Sequence, residues 1–343
     1  MPRMNDMVQP HEETSSAAGH LPVMSRQVIE LLSPGAGQTM LDCTVGRGGH
    51  ASLIAPMLSS APGIPGIPGI PGIPGTSAPG IPGTSAPGMS GGCYIGLDAD
   101  ADNAAFARRR LAEAPIEVRI VHGNFADSRE ILDGLGVGKV DLLLADLGFA
   151  SNQMDDAERG FSFQQDAALD MRLDRSGGIT AAELLAEIDE RELADILWKY
   201  GEERLSRVIA RKIIEARPRS PIQSTRQLAQ LCASVYGRRG GRQRIHPATR
   251  TFMALRIAVN DELGRLERLL ERLPVLMSAG SRAVVISFHS LEDRLVKHAF
   301  KRYADQGRAE LLTRKVVQAD DDERMSNPRS RSAKVRAIRW ISA

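Results

Sequence analysis

Two acids and a cluster of glycines carry the chemistry that can be read from this chain. Gly46-Arg47-Gly48-Gly49-His50-Ala51 fits the pattern G-x-G-x-x-[GA]. Glycines in such a turn let the backbone pass close to a ligand, and the start of a following helix offers free N–H donors. In nucleotide-binding βαβ units an acid about 20 residues further on accepts from a ribose hydroxyl. The next such acid here, Asp98, lies 50 residues beyond Gly48. Residues 61–88, however, are 28 residues built almost wholly from Pro, Gly, Ile, Ala, Ser and Thr. Without them the separation is 22 residues, and the spacing of a nucleoside site is restored.

Asp146 is the second acid. It follows the apolar run Leu142–Ala145, at the carboxyl edge of a strand, where ligands sit in open α/β sheets. Nicotinamide cofactors and S-adenosylmethionine both suit a nucleoside site of this kind. Hydride transfer calls for a Lys, Tyr or His acid/base in a defined relation to the turn, and none is evident. An acid beside a polar loop suits methyl transfer to an amine.

The elements that must position these residues follow from hydrophobic period. Residues 23–32 have a helical apolar pattern, Met40 and Leu41 start a short buried strand, and 51–58 is a helix opened by the glycine turn. Strands are expected at 93–100, 118–127 and 139–148, with a helix over 101–114. Strands alternating with helices imply an α/β fold with a mostly parallel sheet. From Phe161 to Gln243 no strand signal interrupts the helical spacing of residues such as Leu193, Leu197, Ile209 and Ile213. The alternation resumes with a long helix near 250–273 and strands at 282–290 and 333–340. The expected organisation is therefore a leader over 1–18, one α/β domain from 19–155 and 246–343, and an all-helical domain inserted at 156–245. Residues 61–91 form a loop insertion in the first.

Composition narrows the partners. The 343 residues are 25% charged and 42% hydrophobic, with no run of about 18 apolar residues, so no membrane span is expected. Cys43, Cys93 and Cys232 fit no metal or disulfide spacing; buried thiols in a reducing, cytoplasmic compartment are the plain reading. Net charge is only +2, yet residues 204–256 hold 13 Lys/Arg against the single acid Glu215. That asymmetry points to a polyanion partner. Arg238, Arg239, Arg242, Arg244 and Arg250, around the Gly-rich stretch 237–244, are the candidate phosphate contacts.

Longer strings make the sequence recognisable. They include "DCTVGRGGH" (42–50), "GLDAD" (96–100), "GNF" (123–125), "DLGFASNQMD" (146–155), "RGFSF" (159–163), "HPATRTFMALRIAVNDEL" (246–263) and "VISFHSLEDR" (285–294). In these the chain resembles the MraW/RsmH family of bacterial 16S rRNA cytosine-N4 methyltransferases, from His20 to its C-terminus apart from residues near 61–91. The resemblance implies a class I, Rossmann-like, S-adenosylmethionine-dependent methyltransferase sheet with an inserted helical domain. It implies cofactor contacts at Gly48, Gly49, His50, Asp98, Phe125, Asp146 and Gln153. It also implies 16S rRNA or the 30S subunit as partner, and leaves room for a homodimer. Phe149 and Ala150 depart from the family's DLGVSS, as does Ala51 from its Ser, and Ala167-Ala168 from its Gly-Pro. Asp146 is the candidate for orienting the amine. A DNA amino-methyltransferase and a non-catalytic RNA-binding assembly factor are the competing readings.

Smaller signals read structurally. Phe149 is a candidate stacking partner for a base, whereas Phe161 and Phe163 fit a core better. Ser290 and Asp293 resemble a helix capping box, which makes His289 part of a turn rather than a catalytic base. His50 has no second ligand at metal spacing, so no metal is expected. The Pro/Gly stretch has no amphipathic face and should stay disordered or weakly polyproline-like. Deleting 61–88 is expected to leave the affinity for S-adenosylmethionine, measured by calorimetry, nearly unchanged; a large loss would contradict the loop-insertion reading.

Overall fold

The apolar runs Met40–Leu41, Cys93–Leu97 and Leu142–Ala145 are buried on both faces, which calls for helices on either side of a parallel sheet. The computed structural model describes residues 22–60, 91–237 and 246–341. The expected leader, almost all of the 61–91 insertion, and Arg238, Arg239, Arg242 and Arg244 lie outside the described residues.

The first half of the sheet comprises β1 (Thr39–Asp42), β2 (Cys93–Asp98), β3 (Glu117–His122) and β4 (Val140–Asp146). Helices α1 (Ser25–Leu32), α2 (Gly49–Ile54), α3 (Ala101–Arg110) and α4 (Ser128–Gly134) accompany these strands. The second half contains β5 (Met277–Ser287), β6 (Ala309–Leu311) and β7 (Lys334–Trp340). The order is β3-β2-β1-β4-β5-β7-β6, parallel except that β7 runs antiparallel to both β5 and β6. The strand order reverses between β1 and β4, which are paired from Met40↔Leu142 to Asp42↔Leu144. A crevice therefore opens beyond their carboxyl ends, where a ligand would enter. One apolar cluster covers one face of the sheet with Leu266, Leu270 and Phe300, and a second covers the other with Val28, Leu32 and Ile54.

Between β4 and β5 the chain forms α5 (Ser151–Asp155), α6 (Ala181–Glu187), α7 (Glu190–Gly201), α8 (Ser206–Ala216), α9 (Thr225–Tyr236), α10 (Thr249–Val259) and α11 (Glu262–Leu276). Caps set several of their starts: Asp189 accepts from Glu192 N at 2.7 Å, and Ser224 with Gln227 forms a capping box. A third apolar cluster, including Leu193, Leu197, Ile213 and Leu228, binds these helices to one another. It also takes in Phe252 and Leu255 of α10, beyond the boundary expected at residue 245. Phe161 belongs to this core, and Phe163 packs on it against Phe252 at 5.0 Å.

Three local expectations change. Residues 161–180 are not helical; they run as turns and a single bridge from Ala168 to Ser224 before α6 begins. The long helix expected at 250–273 is two helices, broken at Asn260 and at Asp261, whose φ of 47° is left-handed. Buried Asn260 accepts from Leu173 N at 2.7 Å and donates to Met171 O at 2.7 Å and Arg256 O at 2.8 Å, tying the irregular segment to the break. The capping box of α12 (Ser290–Asp305) sits one residue earlier than expected, on His289 and Glu292. Asp293 is drawn away by Arg336, at 2.7 Å and 3.3 Å, and the Ser290 hydroxyl donates to Glu202 at 3.4 Å. Asn260→Ala would orphan a buried N–H and a buried carbonyl, so it is expected to cost roughly 1–3 kcal/mol in denaturant unfolding.

Candidate active site

The glycine turn joins β1 to α2. Gly46 and Gly48 have φ of 54° and 78°, left-handed values that a side chain would strain. Gly46 N donates to Asp98 Oδ2 at 2.8 Å, and Asp100 N donates to Asp98 Oδ1 at 2.8 Å. The acid identified from spacing thus clamps the turn it was paired with. Gly123 N donates to Asp98 O at 2.9 Å, which brings the loop carrying Phe125 to the same place. Burial pushes the Asp98 carboxyl up to about 6, against the pull of the Asp100 and Gly46 N–H groups.

At the end of β4, Asp146 N donates to Thr44 Oγ1 at 2.7 Å, which stitches this strand to the start of the glycine turn. Asp146 Oδ2 is 3.6 Å from Nε2 of buried His50. Both ring nitrogens of His50 and Oδ1 of Asp146 are buried without a hydrogen-bond partner. Beneath them Asp42 is fully buried and accepts from the Tyr94 hydroxyl at 2.5 Å; burial raises its carboxyl above the usual range. Unpartnered buried polar atoms are costly, and a cluster of three at the crevice fits a site shaped to receive a polar ligand.

Gln153 takes a different place. Its Nε2 donates to Asp100 Oδ2 at 2.7 Å, and its Oε1 accepts from Ala150 N at 2.8 Å. Buried Arg159 meets the same Asp100 oxygen at 2.8 Å. Both amide ends of Gln153 are thus engaged with protein, bracing the loop after β4 against the start of α3. Asp100, Arg159 and Thr44 were not singled out from sequence; the second acid of Asp98-Ala99-Asp100 was the available signal for the first.

Phe149, in the loop after β4, stacks on Phe161 at 5.4 Å with ring planes 6° apart. The Arg256 guanidinium lies 4.7 Å from the Phe149 ring centroid on its own account. Arg256 is mostly buried and grips Glu262 with both ends, at 2.7 Å and 2.9 Å. It was counted among the residues facing a polyanion, but its charge is spent inside. Glu262, His289 and Glu292 bring three ligand-type atoms within 4.8 Å of one another, a grouping that sequence spacing did not reveal. Burial opposes the Glu292 charge, yet His289, the Phe288 N–H and Arg256 hold its carboxyl below the usual range. With both Glu262 oxygens on Arg256, the chain itself supplies the positive charge in this cluster.

Other members of the basic segment are also engaged. Arg217 donates to Leu185 O and Ile188 O, Arg211 pairs with Glu190, Arg226 with Asp166, and Arg250 donates to Glu202 O at 3.3 Å. Arg204, Arg207 and Arg219 are exposed and have no acidic partner among the described residues. Cys43, Cys93 and Cys232 are free buried thiols, and among the described residues no helix is long and apolar enough to cross a membrane.

A seven-stranded sheet of this order with β7 reversed, and a glycine turn clamped by the acid ending the next strand, define a class I S-adenosylmethionine-dependent methyltransferase. More narrowly, the chain belongs to the MraW methylase family, whose model matches residues 88–341. It is 43% identical over 334 residues to a ribosomal RNA small subunit methyltransferase H of Pelobacter propionicus, covering 93% of this chain and 97% of that one. To the protein of the same name from Geobacter sulfurreducens it is 45% identical over 334 residues, with the same shares covered.

With Asp98 as the expected acceptor for a ribose, its titration would set how cofactor binding depends on pH. An ionised carboxylate accepts from ribose hydroxyls, whereas its protonated form loses acceptor capacity. Affinity for S-adenosylmethionine is therefore expected to fall as pH drops through about 6, and Asp98→Asn to bind weakly at every pH without that step. In the free protein the sign is opposite. A folded value raised above 3.8 makes the Asp98 contribution to stability full below about 4 and lost as pH rises through about 6. Calorimetric titrations from pH 5 to pH 8 (roughly the span over which such a group ionises) check the binding arm.

Proposed function

We propose that this chain methylates the exocyclic N4 of a cytosine in 16S rRNA of the small ribosomal subunit. The observation that carries the reading is the buried, unpartnered Asp146 oxygen beside His50 at the crevice between β1 and β4. Family membership and relatives named for small-subunit rRNA methylation support the substrate class.

Gly48, Gly49, His50, Asp98 and Phe125 are the residues that would hold S-adenosylmethionine. When bound, it supplies an electrophilic methyl group. Asp98 would accept from the ribose hydroxyls while the glycine turn lets backbone approach. Asp146 is suited to accept from the amine of the base. Cytosine N4 is a poor nucleophile because its lone pair is delocalised into the ring. An acceptor on the N–H favours localising that pair and takes up developing positive charge. Holding amine and donor in line supplies much of the remaining rate. Phe149, pressed between Arg256 and Phe161, offers a rigid aromatic edge beside Asp146, against which an unstacked base can rest.

The helical body, expected over 156–245 and joined by α10, is the proposed RNA-binding domain. Exposed Arg204, Arg207 and Arg219 would meet phosphates, with Arg238, Arg239, Arg242 and Arg244 as further candidates from sequence. Asp146→Asn and Asp146→Ala are each expected to lower methyl incorporation into small-subunit rRNA by 10² or more, roughly the effect of losing one such preorganised group. Circular dichroism should stay unchanged. Retained activity would remove Asp146 from this role, and mapping modified cytosines with and without the protein tests the target.

A further inference from the structure

A second basic feature lies away from the helical body. Residues 294–315 hold seven Lys/Arg against two acids, Asp305 and Glu310. They fold as most of α12, β6 and the start of the connection to β7. Between α12 and this edge of the sheet is a cavity of about 90 Å³. Its floor is apolar, formed by Phe300 and Leu311, and Lys297, Lys301, Arg314 and Arg336 line it.

These four cations are not equivalent. Arg336 is held by Asp293, and Lys301 is paired with Asp305 at 2.8 Å. Glu310 is taken by Arg339. Lys297 and Arg314 are exposed and have no acidic partner among the described residues. Two unneutralised cations thus face one small cavity, with a third, Arg336, fixed in place beside them. The space suits a single phosphodiester group rather than the side of a protein element.

Position connects the cavity to the site. Strand β5 pairs Ile286 with Asp146, so α12 starts at the same sheet edge as the crevice. Ser290 at its first turn touches Glu202 of the helical body. Lys297 follows Ser290 by seven residues, about 10 Å along the helix. A polyanion lying over the crevice can therefore continue along α12.

We propose that this groove binds the phosphate backbone of a second segment of the RNA substrate, with Lys297 and Arg314 as its contacts. The inference rests on the reading of the substrate as rRNA and extends it to a surface outside the helical body. Neutralising two contacts should lower the salt dependence of binding by about 0.7–0.9 per contact, so by about 1.5 in the slope of log K against log salt.

The double variant Lys297→Gln/Arg314→Gln tests this, because both side chains are exposed and the fold does not depend on them. Binding to transcribed small-subunit rRNA is measured between about 50 and 200 mM salt. The expected result is a roughly tenfold weaker affinity at the low-salt end and the shallower slope, with the thermal shift by S-adenosylmethionine unchanged. Unchanged affinity and slope would overturn the groove, as would weaker affinity at an unchanged slope. If the wild-type protein binds this RNA but methylates no cytosine, the proposed reaction fails, while the groove still stands or falls on the slope.

Discussion

The carboxylate of Asp98 is the joint on which the site turns. One oxygen holds the glycine turn after β1; the other starts the turn into α3. Asp100, placed by that second bond, caps α3 and receives Gln153 and Arg159. The glycine turn, the start of α3 and the segment after β4, which are remote in sequence, are thereby held by two neighbouring carboxylates. Burying them is costly, and the cost is offset by backbone N–H groups and one buried guanidinium. Asp98 keeps a raised pKa as the residue of that cost.

The crevice itself is a consequence of topology. Because β1 lies between β2 and β4, the chains leaving β1 and β4 run to opposite sides and leave their ends uncovered. Thr44 then bridges the two strands, and His50 and Asp146 meet across the gap. Arg256 reaches from α10 to Phe149 while Glu262 of α11 holds it from behind. The break at Asn260 is what allows both: a continuous helix would carry Glu262 away from Arg256's position. Helical body and sheet therefore share one wall of the site.

Charge is distributed in two ways with different physics. Arg159 and Arg256 are buried and paired, where losing one partner would leave an uncompensated charge. Arg204, Arg207, Lys297 and Arg314 stand in water, where a charge acts on its surroundings through its field rather than through a buried pair. A count of basic residues along the chain cannot separate these classes, and Arg256 shows the error it makes.

Periodicity and spacing were enough for much of this protein. The four parallel strands, the glycine turn, the Asp98 partner and the acid ending β4 were all legible, because each depends on local pattern or on a fixed βα spacing. The core role of Phe161 and Phe163 was legible too, since large aromatic side chains are more often buried than free. Other features were not. The helix break, the one-residue shift of the α12 cap and the internal use of Gln153 and Asp100 depend on partners tens of residues away, while Arg256 meets Glu262, six residues on, only because the helix breaks between them. Whether a polar side chain faces solvent, a ligand or another side chain is decided by which chain segments the sheet brings together. Local sequence determined which groups exist and their rough order; only tertiary packing decided which were spent on holding the fold and which, such as the His50 ring nitrogens and Asp146 Oδ1, were left without a hydrogen-bond partner at the crevice.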